Sequence, residues 1–282
     1  MGTHLTPAII VVVIGAGALH ACWNAIAKQV TDRLMAFAWI GIASAVTGGV
    51  VLLATGLPAA EAIPFAVVSA VIHIAYDLAL MNSYRLGAFN QTYPIARGTS
   101  PLVVAVGAYF LAGEHLSIVA LAGIATLAAG LMSLALSAGR LTRGDLPAVG
   151  AAVLTGLTIA GYTLVDGLGV RRAGDPWAYT ALLFLLQGPP LVLAAAARRP
   201  AVAWRDHVTS SRGLLAGALS MAAYGIVLWA QTKAPLAEVA AIRETSVVFA
   251  ALIGVVVLGE QFGRRRVAAA MIIAAGIVLI GL

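Results

Sequence analysis

Charged side chains are scarce in this sequence. Asp, Glu, Lys and Arg make up 10% of the 282 residues and hydrophobic residues 61%, with a mean hydropathy of +0.99. Soluble domains carry roughly 25% charged residues, so the composition excludes an ordinary soluble protein and indicates a chain embedded in a bilayer. The net charge of +6 comes mostly from loop arginines. We therefore attribute it to topology and lipid contact and expect no nucleic-acid binding.

Catalytic and metal-binding motifs are also missing. The sequence contains no HExxH, G-x-S-x-G, CxxC or Walker loop, the patterns that would indicate a metalloprotease, a serine hydrolase, a thiol redox centre or a phosphate loop. Its five histidines are scattered, and a lone Cys22 cannot form an internal disulfide. We therefore predict no catalytic residue, metal or cofactor, and expect that the protein is not an enzyme.

Long apolar runs fill most of the chain and are separated by short Gly- and Pro-containing connections. A membrane-spanning helix needs about 20 mostly apolar residues. This criterion predicts an all-α membrane protein with ten transmembrane helices and no soluble domain. The predicted spans are 8–28, 34–56, 64–86, 89–112, 117–137, 146–168, 177–197, 213–232, 236–258 and 266–281.

The second half of the sequence repeats the first at a common offset of about 146 residues. Arg97, Thr99, Ser100, Gly113 and Glu114 recur as Arg243, Thr245, Ser246, Gly259 and Glu260. We predict a first five-helix repeat over 1–138, a polar linker over 139–145 and a second five-helix repeat over 146–282. Because five is odd, the second copy would enter the membrane from the opposite side. The predicted fold is two inverted repeats around a central cavity, with the substrate site near the midplane.

Polar side chains three or four residues apart share a helix face, and several predicted spans carry such a stripe. A charge at the bilayer centre costs about 2.5–3.5 kcal/mol on insertion scales, so each one is a functional-site hypothesis. The candidate substrate-binding residues are Trp23, Asn24, Tyr76, Tyr93, Arg97, Tyr162, Tyr224 and Arg243. The candidate proton-coupling residues are His73, Asp77, Asp166 and Glu244.

Several of these residues have a structural interpretation as well. His73 and Asp77, four residues apart, could neutralise each other, and the arginines could pair with acids only to specify helix packing. Arg243 and Glu244 are adjacent, so their side chains should point about 100° apart and should not reach one spot. Glu114 and Glu260 follow the ends of long apolar runs, where a structural role is favoured.

Two stretches resemble the EamA-type branch of the drug/metabolite transporter superfamily. His20-Ala-Cys-Trp23-Asn24-Ala-Ile-Ala-Lys28 is similar to its first-helix pattern, and Tyr162 to Arg171 is similar to its sixth-helix pattern. The joint spacing of these motifs extends the resemblance over essentially the whole chain. It implies a ten-helix secondary transporter that moves small metabolites through a central cavity by alternating access, with both termini in the cytoplasm.

The expected function is therefore secondary active transport of a small polar metabolite. Arginine suits a carboxylate or phosphonate and an acidic group suits an amine, which favours a zwitterion such as an amino acid or aminophosphonate. We expect Arg97 and one acid to meet the substrate, with protons as the candidate coupling ion. A membrane-embedded enzyme, or a passive channel or structural protein, is the alternative. The expected partners are the substrate and the bilayer of a bacterial inner membrane, with a monomer or homodimer as the assembly.

The basic residues in the loops and at the ends of the spans are unevenly distributed. If the loops alternate sides, one side holds Lys28, Arg33, Arg85, Arg140, Arg143, Arg198, Arg199, Arg205, Arg212, Arg264, Arg265 and Arg266. The other side, with both termini, holds Arg171, Arg172 and Lys233. The positive-inside rule predicts that the arginine-rich side faces the cytoplasm, which is the opposite of what the family resemblance implies.

Overall fold

The computed structural model describes residues 5–30, 32–137, 139, 141–256 and 263–282. These residues form α-helices joined by short connections, three of them containing a 3-10 turn, and include no strand. The helices are α1 (Pro7–Lys28), α2 (Arg33–Thr55), α3 (Ile63–Leu86), α4 (Phe89–Ala112), α5 (Ile118–Ser137), α6 (Leu146–Val170), α7 (Pro176–Ala196), α8 (His207–Gln231), α9 (Leu236–Arg243), α10 (Thr245–Val256) and α11 (Arg264–Ile280).

Eight of these helices, α1 to α8, contain stretches long and apolar enough to cross a membrane. The predicted all-α membrane class is confirmed, and most predicted boundaries agree within a few residues. Helix α8 begins six residues earlier than predicted, at His207. The predicted span over 236–258 is interrupted, because the chain turns at Glu244 between α9, of 8 residues, and α10, of 12, and residues 257 and 258 lie outside the described residues.

Local sequence accounts for where the helices begin and end. Asp32, Asp175 and Asp206 precede α2, α7 and α8, and each accepts a hydrogen bond from a backbone N–H of the first turn, which satisfies a donor that the helix leaves free. At the C-terminal end of α4, Gly113 has a φ of 64°. This left-handed conformation suits glycine and closes the helix.

Helix α4 is locally weakened around its arginine. Pro94 and Pro101 lie inside the helix, and each lacks the N–H that would bond to the carbonyl four residues earlier. Pro101 thereby leaves the carbonyl of Arg97 without its helical partner. The corresponding part of the second half carries the turn at Glu244. The backbone is therefore irregular beside both arginines.

Small residues bring the helices of the two halves into close contact. A Cβ built on Gly41 of α2 would lie 2.7 Å from the carbonyl oxygen of Gly188 in α7, and one on Gly123 of α5 would lie 2.8 Å from that of Gly276 in α11. Such close backbone approach is the usual way in which membrane helices associate. These crossings join the second and fifth helices of the first half to their counterparts in the second.

Candidate functional site

Two arginines from different halves of the chain share one glutamate. Nε of Arg97 lies 2.6 Å from Oε2 of Glu244, and Nη2 of Arg243 lies 3.7 Å from Oε1 of the same residue. The expectation that Arg243 and Glu244 point apart is wrong, because both side chains reach this cluster at the turn between α9 and α10. Arg97 also donates from Nη2 to Oγ of Ser246 at 2.7 Å, so this guanidinium is held by the second half of the chain.

The cluster is almost completely buried, and several of its polar atoms have no hydrogen-bond partner. Arg97 and Arg243 are each 3% exposed and Glu244 is 0% exposed. Nε and Nη2 of Arg243 have no hydrogen-bond partner among the described residues, and neither do Oγ of Ser100 and Oγ1 of Thr245. Nε of Arg97 approaches Glu244 closely without the angle of a directed hydrogen bond. Buried polar groups are nearly always hydrogen-bonded, so a buried cluster in which two nitrogens of Arg243 and both oxygens of Glu244 lack a directed hydrogen bond is exceptional.

Aromatic side chains from α3, α6 and α8 meet around Tyr162. The His73 ring stacks on Tyr162 with centroids 4.0 Å apart and planes inclined by 21°. Tyr76 and Tyr224 meet Tyr162 edge-on at 5.7 and 6.1 Å. The structure thus brings together four of the predicted aromatic and histidine candidates, on helices that are far apart in sequence.

Asp166 is fully buried beside this aromatic group. Its two carboxylate oxygens accept hydrogen bonds from the hydroxyls of Tyr179, at 2.9 Å, and Tyr224, at 2.6 Å. Sequence reasoning missed Tyr179, because α7 has few polar residues and no polar stripe marks it. Its one signal is a tyrosine set three residues into a span, a position also typical of the interfacial aromatic belt.

His73 and Asp77 do not form the self-neutralising pair that their spacing allowed. Nδ1 of His73 instead lies 3.0 Å from the carbonyl oxygen of Ser69 and 3.2 Å from its hydroxyl. Asp77 is half-buried and makes no hydrogen bond or ion pair with the residues that the structure describes. A partly accessible, unpaired carboxyl on a membrane helix remains a candidate for binding an amine or a proton.

The polar stripe of α1 is largely self-contained. Nε1 of Trp23 donates to Nδ1 of His20 at 3.3 Å, and Nδ2 of Asn24 donates to the His20 carbonyl at 2.8 Å. All three side chains are half-buried. On α4, the guanidinium of Arg97 lies 5.8 Å from the centroid of Tyr93.

Glu114 has the contacts of a structural residue. Its Oε1 accepts hydrogen bonds at 2.8 Å from Nη2 of Arg171 and from the backbone N–H of Leu236, the first residue of α9. Arg171 also donates to the carbonyls of Gln231 and Ala234. Sequence reasoning treated Arg171 only as a loop charge, and its position at the end of the Tyr162–Arg171 pattern was the available signal. The predicted counterpart, Glu260, lies outside the described residues.

Two cavities lie at helix ends, on opposite edges of the bundle. One, of about 660 Å³, is lined by residues that include Gln29, Asp32, Arg199, Asp206 and Arg212. The other, of about 370 Å³, is lined by residues that include Arg171, Trp177, Trp229 and Lys233. The arginine–glutamate cluster lines neither of them.

Residues 146–282, almost half of the chain, match the EamA-like transporter family. The second half of the chain is therefore similar to this family. The predicted EamA resemblance is confirmed there, and this match together with the apolar helices α1 to α8 indicates a multi-pass membrane protein. No curated protein matches the sequence. A solved crystal structure superposes with a TM-score of 0.79 at 16% sequence identity, covering 100% of this chain and 99% of its own. At that identity the likeness shows a shared fold.

Proposed function

We propose that this EamA-like protein is a secondary active transporter of a small zwitterion, such as an amino acid or an aminophosphonate. It would work by alternating access between two inverted five-helix repeats, with α9 and α10 together forming the ninth span and α11 the tenth. The observation that carries the proposal is a buried arginine, Arg243, with two nitrogens that have no hydrogen-bond partner among the described residues. We further propose that it acts in a bacterial inner membrane.

The packing of the repeated threonines supports the inverted arrangement. A Cβ on Gly17 in α1 would lie 2.5 Å from Oγ1 of Thr245, and one on Gly156 in α6 would lie 2.7 Å from Cβ of Thr99. Thr99 and Thr245 are equivalent in the sequence repeat. Each threonine therefore touches a glycine on the first helix of the other half. Two-fold related repeats would produce such reciprocal contacts, and transporters of this kind place the substrate where the repeats meet.

The pairing of the cluster favours Arg243 over Arg97 for binding the anionic group. Arg97 is already held by Glu244 and Ser246, whereas Arg243 has two nitrogens without a hydrogen bond and pairs with Glu244 only at 3.7 Å, through Nη2. A guanidinium with two available donors can bind a carboxylate or phosphonate bidentately. The expectation that Arg97 meets the substrate is thus replaced by a proposal for Arg243.

Acidic groups near the centre would bind the amine or carry the coupling proton. Asp77 is half-buried and free of ion pairs within the described part of the chain, while Asp166 is held by two tyrosine hydroxyls and Glu244 by an arginine. This difference favours Asp77 as the group that binds the amine or carries the coupling proton. The aromatic group around Tyr162 would form the apolar wall of the site.

The test uses purified protein and Arg243→Gln. A library of zwitterions is first screened by thermal shift, since a ligand that binds the folded state raises Tm. For the best ligand, Arg243→Gln should weaken binding by roughly 10- to 100-fold, because charged hydrogen bonds are each worth about 1.5–3 kcal/mol. Arg205→Gln, an exposed arginine outside the cluster, is the matched control.

Uptake into proteoliposomes, with and without a pH gradient, completes the test. Accumulation against a substrate gradient when a pH gradient is imposed supports proton-coupled transport. Downhill flux alone would favour a passive channel, and chemical turnover of the ligand would favour an enzyme. Wild-type affinity in a folded Arg243→Gln protein would remove this arginine from the site.

A further inference from the structure

The hydrogen bonding of the two arginines breaks the symmetry of the sequence repeat. Arg97 and Arg243 are equivalent in the repeat, and so are Ser100 and Ser246. The bond from Arg97 to Ser246 therefore has a counterpart, from Arg243 to Ser100. The structure contains the first bond, at 2.7 Å. The second bond is not formed: Arg243 and Ser100 are buried, at 3% and 1% exposure, and Nε and Nη2 of Arg243 and Oγ of Ser100 have no hydrogen-bond partner among the described residues.

We propose that the Arg97–Ser246 and Arg243–Ser100 bonds are alternatives, each formed in one of the two access states of the transporter. This inference rests on the proposed alternating access of inverted repeats. In such a protein the second state arises when the two repeats exchange conformations, so a bond made by one repeat is replaced by its counterpart in the other. Each state then leaves one arginine and one serine unpaired, which keeps the two states close in free energy.

Glu244 is the residue that both arginines share. Its Oε2 lies 2.6 Å from Nε of Arg97 and its Oε1 lies 3.7 Å from Nη2 of Arg243. In either state it can therefore pair with the arginine that is hydrogen-bonded to a serine. Its counterpart in the repeat is Gly98, where a Cβ would lie 3.2 Å from Cβ of Leu131 and 3.4 Å from the carbonyl oxygen of Ala128. Packing against α5 thus leaves little room for a second acid. Two arginines with one glutamate leave one positive charge for the substrate in either state.

The free arginine consequently differs between the two states. Arg243 has the free donors in the state described here, and Arg97 would have them in the other state. The anionic group of the substrate would then pass from one guanidinium to the other during transport. Both guanidinium groups would bind substrate, but from opposite sides of the membrane.

The experiment measures which state is populated, without requiring transport. Helices α3 and α8 are equivalent in the repeat, and their ends carry exposed positions at both edges of the bundle. In a Cys22→Ser background, spin labels are placed at Leu86→Cys and Val208→Cys for one edge, and at Glu61→Cys and Lys233→Cys for the other. Pulsed EPR then gives the distribution of distances between α3 and α8 at each edge.

Ser246→Ala should lower the population of the state described here by about tenfold, because one charge-assisted hydrogen bond is lost only in that state. Adding Ser100→Ala to Ser246→Ala should return the ratio towards the wild-type value. Ser44→Ala, which removes a buried hydroxyl of α2 outside the cluster, should leave the ratio unchanged.

A higher population of the state described here in Ser100→Ala alone, a lower one in Ser246→Ala alone, and restoration in the double variant support the exchange. Shifts in the same direction, or none, while the wild type still shows two states would overturn the exchange and leave alternating access intact. A single distance at each edge in every variant, with and without ligand, would overturn alternating access and the exchange together.

Discussion

Asp166 illustrates how a charged side chain can lie inside this bundle. An isolated buried carboxylate is costly unless hydrogen bonds replace its water. The hydroxyls of Tyr179 and Tyr224 do so, one on each oxygen. Because Asp166 uses both oxygens to join α6, α7 and α8, its role in the present state is to hold these helices together. Asp77, next to Tyr76 in the sequence, by contrast makes no hydrogen bond or ion pair with the described residues.

The ion pair between Asp32 and Arg199 predicts a pH-dependent contribution to stability. Nε of Arg199 donates to Asp32 at 2.7 Å at the edge of the bundle, and this hydrogen bond lowers the pKa of the Asp32 carboxyl from its ordinary value. A group whose pKa is lower when folded stabilises the protein above its unfolded pKa, which is about 3.9. That stability is lost as the pH falls through the folded pKa.

Asp32→Asn tests this prediction, because asparagine can still cap α2 but cannot pair with Arg199. At neutral pH the wild type should be more stable by less than about 1 kcal/mol, since both side chains are more than one-third exposed and solvent screens the pair. Thermal melts in detergent should show that the difference disappears once the pH is below the lowered pKa of Asp32 in the folded protein. A difference that persists there would mean that the substitution acts through the helix cap.

At the scale of elements, Glu114 ties the start of α9 to the ends of α6 and α8. Glu114→Gln removes the charge that Arg171 faces and replaces one acceptor by a donor, so about 1–3 kcal/mol of unfolding free energy should be lost. Substrate preference should change little, because these contacts lie at a helix end. Thermal melts and ligand titrations measure the two effects, with the exposed Glu61→Gln as control. A stable protein with an altered preference would contradict the structural role. We expect the same loss of stability for Glu260→Gln, because Glu260 is the counterpart of Glu114 in the sequence repeat.

The helical elements were predictable to the extent that apolar runs and breakers define them. The turn at Glu244 was missed because α9 and α10 follow each other without a Gly or Pro, so the run resembles one span. The adjacent charges of Arg243 and Glu244 were its only signal. The repeat identified both arginines, but not their partners, because the bond from Arg97 to Ser246 joins residues 149 positions apart. Which arginine is free depends on the tertiary structure and could not be derived from the pattern.

At the scale of the whole molecule, the basic residues predict how the bundle is oriented. With alternating spans, the edge that contains the 660 Å³ cavity, lined by Arg199 and Arg212, is the arginine-rich edge. Cytoplasmic loops are enriched in Lys and Arg, so we expect the loops over 139–145, 198–212 and 263–266 to face the cytoplasm. Both termini would then lie outside it, whereas the family resemblance implies cytoplasmic termini.

A reporter fused after Leu282 distinguishes the two orientations. Alkaline phosphatase is active only outside the cytoplasm and a standard green fluorescent protein folds only inside it, so we expect an active phosphatase fusion and a dark fluorescent one. Fusions within the loop at 198–212 should give the reverse pattern. A fluorescent C-terminal fusion would mean that another signal overrides the arginine distribution. The larger cavity would then lie at the outer face of the membrane.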